Sequence, residues 1–109
     1  MLSVRLTLLH PLPEAEQEVL SLLQELNDHL GTAEGLLLSL VVQEHRTLGR
    51  LAVWESSDAA NREAVSHHVL ALRARIRSLT QTVVAEDLLQ VESGWTTGMP
   101  IPGISIPAA

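Results

Sequence analysis

The sequence predicts an α+β fold with the ferredoxin-like order β-α-β-β-α-β, and three observations support it. Two stretches repeat their apolar residues every three to four positions, the helical period, while the others alternate or run apolar for four to eight residues in the manner of strands. Turn and cap signals mark the ends of these stretches, with His10-Pro11-Leu12-Pro13, Gly31, Gly35 and Ser56-Ser57-Asp58 between them. The order of the two kinds of stretch is that of the split β-α-β arrangement.

Taken in order, Leu2 to Leu9 puts Leu2, Val4, Leu6 and Leu8 on one side and Ser3, Arg5 and Thr7 on the other, a strand with one apolar face. His10-Pro11-Leu12-Pro13 ends it, and Pro13 suits the first turn of a helix. Glu14, Glu16 and Glu18 follow where the positive end of the helix dipole favours them. Val19, Leu22, Leu23, Leu26 and Leu30 make one buried stripe, and Gly31 stops the helix. Leu36 to Val42 and Leu48 to Trp54 are two antiparallel strands joined across Glu44-His45-Arg46-Thr47. A second helix is expected from Ser56, where Ser56, Ser57 and Asp58 offer capping oxygens, to Leu79, on the stripe Val65, Val69, Leu72, Ile76 and Leu79. Val83 to Val91 is the last strand. Residues 1–93 therefore form one ferredoxin-like domain, and 94–109 are a Pro/Gly/Ile-rich extension, read either as an arm over the domain or a partner or as a tail without such a role.

Two helices cover only one face of a four-stranded sheet. Leu36, Leu37, Leu38, Leu40, Val41 and Val42 fill both faces of the second strand, and Leu51 to Trp54 do the same in the third. Such a surface is an association hazard on a monomer, so the expectation is a homodimer with sheets packed face to face.

Composition narrows the function. The chain has 109 residues, 46% of them hydrophobic, no cysteine, and a formal net charge of -6 with arginine as its only strong base. No disulfide, thiolate or zinc–cysteine chemistry is available. An acidic, aromatic-poor chain does not suit nucleic acid. No apolar run is long enough for a membrane helix, and no signal-peptide pattern opens the chain, so the expectation is a cytoplasmic protein. Arg73, Arg75 and Arg77 are read as a solvated face. His10, His29 and His45 lack metal-ligand spacing, and Ser56 and Asp58 are better caps than members of a triad with His68. No metal site is expected.

Leu51-Ala52-Val53-Trp54-Glu55-Ser56, with Ala64-Val65-Ser66-His67-His68 in the helix that follows, resembles the antibiotic-biosynthesis monooxygenase family, small dimeric α/β-barrel proteins with an aromatic-Glu-Ser strand end and a later helix histidine. The resemblance covers residues 1 to about 92. It implies a cofactor-independent monooxygenase acting on a small aromatic or quinol-type molecule, with the protein binding, orienting and ionising a substrate that reacts with oxygen directly. The family's tyrosine is missing, and Leu6, Thr7, Glu63 and Arg73 stand near positions that haem-degrading members give to other residues, which argues against haem.

Four residues are candidates for the site. Trp54 either forms a pocket wall or packs as core, and Arg50, on the same strand face, is the anion contact or a solvated edge residue. His68, about 60° off the buried stripe at 100° per residue, is either the base or hydrogen-bond donor of the site or a histidine bonded to a backbone carbonyl. Its partner could be Asp58 or Asn61, one or two turns earlier, if the helix breaks at Ser66, and Asn61 could also contact the substrate. The alternative is a non-catalytic homodimer of the same fold that binds a small hydrophobic molecule.

Overall fold

The computed structural model describes residues 1–95. Strand β1 (Ser3–Pro11) leads through a 3-10 turn (Pro13–Ala15) into helix α1 (Glu16–Leu30). Strands β2 (Leu36–Glu44) and β3 (Thr47–Trp54) form the hairpin, followed by α2 (Ser57–Ala64), α3 (His67–Ser78) and β4 (Thr80–Gln90). The strands make one antiparallel sheet in the order β2-β3-β1-β4, with the expected ferredoxin-like topology. No helix among the described residues is long and apolar enough to cross a membrane. Of the 94–109 extension, everything past residue 95 lies outside the described residues, and Trp95 itself is exposed.

The helices pack on one face of the sheet. Val19, Leu23, Leu26 and Leu30 of α1 and Val69, Leu72 and Ile76 of α3 join Leu9, Leu48, Ala52 and Trp54 in a single core. Gly35 opens β2 at φ 87 and accepts a hydrogen bond from the Glu55 amide at 2.8 Å. A Cβ there would lie 2.7 Å from that of Ala59, so glycine lets the start of β2 sit against the first turn of α2.

One expectation is corrected. The second helix is not continuous from Ser56 to Leu79. Val65 ends α2 at φ -102, ψ 0, and Ser66 is extended, its hydroxyl accepting a hydrogen bond from the Val69 amide at 3.4 Å to cap α3. A new N-cap restarts the helical phase, so Val65, expected in the buried stripe, is 68% exposed while Val69 remains buried.

The two-sided sequence pattern of β1 leaves open which of its faces meets the helices. Its register pairs Ser3 with Trp54, Arg5 with Ala52, Thr7 with Arg50 and Leu9 with Leu48, which puts Ser3, Arg5 and Thr7 on the helix side. Val4, Leu6 and Leu8 oppose Val53, Leu51 and Gly49 on the other side, which the helices leave bare. On β2 that side carries Leu38, Leu40 and Val42. The apolar row of the first strand thus faces away from the helices, and its polar row faces in.

Candidate functional site

The inward polar row roofs a cavity between the sheet and the three helices, with about 60 Å³ open to the centres of water-sized molecules. A single water needs roughly 10–15 Å³ by that measure, so the space holds several waters or one small ring. Leu23, Leu26 and Leu30 of α1 and Val69 and Ile76 of α3 form its apolar wall. Ala60 and Ala64 on α2 are small enough to leave the space open. Trp54 closes one side. The indole is 1% exposed, and its Nε1–H is buried without a hydrogen-bond partner among the described residues.

Trp54 is therefore both core and cavity wall, and Arg50 lies on the same face four residues earlier. Arg50 is 6% exposed. Its Nε donates to Ser39 Oγ at 3.0 Å, and Ser39 Oγ donates in turn to Asn27 Oδ1 on α1. This chain fixes the inner edge of the guanidinium. Nη2 is buried and has no hydrogen-bond partner among the described residues. A buried donor left unsatisfied costs about 1–3 kcal/mol, more when charged. Burial, followed by repulsion from Arg5 and Arg73, lowers the Arg50 pKa to about 10, so the group is still a cation at neutral pH.

Arg5, diagonal to Arg50 across β1 and β3, also lines the cavity, and its Nη2 donates to Asn61 Oδ1 at 3.2 Å. Burial and then Arg73 lower its pKa. Arg73 and Arg77 on α3 converge on Glu86 of β4 at 3.0 and 2.7 Å. Hydrogen bonds from Arg77 are the largest influence holding the Glu86 carboxyl below its ordinary range, with Arg73 adding to them against a smaller opposing effect of burial. Thr7 lies between Arg50 and Glu86 in one row across β3, β1 and β4. Glu63, half-buried on α2, is the second carboxylate on the wall, with no salt bridge to it among the described residues.

Of the four residues expected at the site, Trp54 and Arg50 meet at the cavity and Asn61 touches it through Arg5. His68 does not reach it. Its ring is exposed and stacks at 4.2 Å between centroids on His29, near the end of α1. His68 shares α3 with Val69, Leu72 and Ile76, so its offset of about 60° from that stripe stands, and the ring meets His29 of α1 instead of the cavity.

Sequence reasoning missed Arg5, Thr7, Glu63, Arg73, Arg77 and Glu86 as cavity residues. Arg73 and Arg77 had a readable signal, because a spacing of four puts two side chains on one helix face. Arg75 does turn away, to Glu18 of α1 at 2.6 Å, so only part of that cluster is the solvated surface expected of it. No group of three or more potential metal ligands occurs among the described residues.

Several solved structures superpose on this chain. Rv0793 from Mycobacterium tuberculosis matches with a TM-score of 0.77 at 19% identity, over 84% of this chain and 95% of its own. SnoaB, a cofactor-independent oxygenase from Streptomyces nogalater solved as a single-site mutant, matches at 0.73 and 17%, over 84% and 94%. This chain shares their fold. An antibiotic biosynthesis monooxygenase matches at 0.72 and 18%, over 85% and 98%. No family model matches the sequence, and no curated protein does. The likeness is one of architecture, carried by the sheet order and helix placement more than by shared side chains.

Proposed function

We propose that the chain is a cofactor-independent monooxygenase of small aromatic or quinol-type molecules, acting as a cytoplasmic homodimer. The observation that carries this reading is the cavity itself, an aliphatic space walled by Trp54 and lined by the buried Arg50 cation. The oxygenase with the same fold lends support by architecture alone.

In this reading the ring of the substrate lies against the leucines of α1 and Trp54. The Arg50 cation favours the ionised phenol or enol, and Glu63 takes the proton. The anion passes electrons to oxygen. For a methylene flanked by aromatic rings, one oxygen atom becomes the new carbonyl and the other leaves as water with the two methylene hydrogens, so the substrate is its own reductant. The bare sheet face, with Leu6, Leu8, Leu40 and Leu51, would be covered by a second copy.

A second reading, a non-catalytic homodimer that binds a small hydrophobic molecule, gains from the position of His68 outside the cavity and from the absence of tyrosine. Oxygen uptake with a panel of quinols and anthrones decides between the two. Uptake matched by quinone or carbonyl product, reduced at least tenfold in Arg50→Met and unchanged in His68→Ala, is the expected result. Binding of the same molecules without uptake would leave the second reading.

A further inference from the structure

The cavity is more basic than its presumed substrate requires. Four guanidiniums, of Arg5, Arg50, Arg73 and Arg77, meet two carboxylates, of Glu63 and Glu86, on the wall of a chain whose net charge is -6. Glu86 is engaged by Arg73 and Arg77 on the α3 side. Arg5 and Arg50 have no salt-bridge partner among the described residues, although one is half-buried and the other 6% exposed. A phenolate or enolate would satisfy one of these cations. The second would remain.

The two are diagonal neighbours on adjacent strands, so their stems start about 7–8 Å apart. Both donate to neutral oxygens, Arg50 through Nε to Ser39 and Arg5 through its terminal Nη2 to Asn61. Such bonds orient a guanidinium without neutralising it, and the field of Glu86 compensates Arg5 only in part. Thr7, between Arg50 and Glu86 in the strand row, adds a hydroxyl to the same patch. The rest of the wall is mostly aliphatic, with Leu23, Leu26 and Leu30 of α1, so the lining is amphipathic.

We propose that the molecule taken into this cavity is an aromatic carboxylic acid, its carboxylate held between Arg5 and Arg50 and its ring against the α1 leucines. A planar carboxylate fits the fork of a guanidinium and can be shared by two of them. It also supplies a charge that is present before any ring oxygen ionises. Glu86 is the built-in competitor. Its carboxylate lies in the same row and compensates part of the positive field, so removing its charge should tighten the site for an acid.

This inference rests on the reading of the cavity as a binding site for small aromatics, but it does not require oxygenation. The test is anaerobic calorimetry of the full chain with 2,5-dihydroxybenzoate and with 2,5-dihydroxybenzamide, which differ in charge and little in shape. The acid is expected to bind at least tenfold more tightly than the amide. Arg5→Met should bring that preference below threefold with amide affinity unchanged, and Glu86→Gln should raise acid affinity several-fold, a gain that a misfolded variant cannot mimic. Equal affinities, no binding of either probe, or a preference that survives Arg5→Met overturns the proposal. Oxygen uptake separates its failure from that of the oxygenase reading. Acid preference without uptake removes the oxygenase and keeps the acid site, and uptake with equal affinities does the reverse.

Discussion

The face of the sheet under the helices mixes core residues, Leu9, Leu48, Ala52 and Trp54, with a polar row, whereas the bare face is mostly apolar. The face under the helices, normally the drier, carries Ser3, Arg5, Thr7, Arg50 and Glu86 and encloses a cavity. The face without helices carries Val4, Leu6, Leu8, Leu51, Val53 and Leu40. A strand alternates with period two, so each backbone serves both surfaces and cannot give both of them leucine and arginine at the same position. The polarity of the covered face makes sense if something binds there. The apolarity of the bare face makes sense if something covers it.

Truncation should separate the two faces most clearly. Leu23→Ala, at 2% exposure under the helices, is expected to cost ~2–5 kcal/mol. The loss should be the same at any protein concentration in chemical denaturation. Leu6→Arg on the bare face should act on association instead. An unpaired charge in a buried contact costs about 3–5 kcal/mol, enough to convert a dimer to monomer by light scattering at micromolar concentration while the circular dichroism of the subunit is retained. A wild-type chain that is monomeric in that measurement breaks the comparison.

Arg50→Met sharpens it from the other side. The substitution removes a buried cation with an unsatisfied donor, so it should stabilise the chain by about 1 kcal/mol. In a domain of this size that is a rise of roughly 4–8 °C in Tm. A gain in stability together with a loss of activity is the signature of a residue kept for its ligand, and a fall in Tm would mean that the bond to Ser39 outweighs the burial cost.

The smallest expected effect is at Glu86. Its pKa is lowered in the folded state, so its ion pairs contribute stability above the ordinary glutamate range, and that contribution is lost as pH falls through the lowered value. Glu86→Gln should therefore flatten the acid limb of a stability–pH profile, with the difference from wild type shrinking towards low pH. Partial exposure keeps the effect modest.

The element order, the hairpin and the α1 stripe were legible in the sequence because local period and turn chemistry determine them. The facing of β1 was not. Alternation separates Val4, Leu6 and Leu8 from Ser3, Arg5 and Thr7, but which set meets the helices depends on the hand of the packing and on partners that no local pattern encodes. Trp54 and Arg50 could be assigned to one face from their spacing alone. The Ser66 cap, as strong a helix start as Ser56, resets the angle of Val65, while His68 keeps its offset within α3 and only the contact with His29 shows where its ring goes. Arg5 and Glu86 could not be joined to the site without the pairing of β1 with both β3 and β4.

The aromatic poverty of the chain has a practical consequence. With no tyrosine or phenylalanine, all near-ultraviolet absorbance and fluorescence come from two indoles, and these occupy opposite environments, Trp54 at 1% exposure and Trp95 at 67%. Iodide should quench the red-shifted emission of Trp95 and leave a blue-shifted residue from Trp54. That remaining signal comes from the cavity wall itself, so the protein carries its own label for whatever enters.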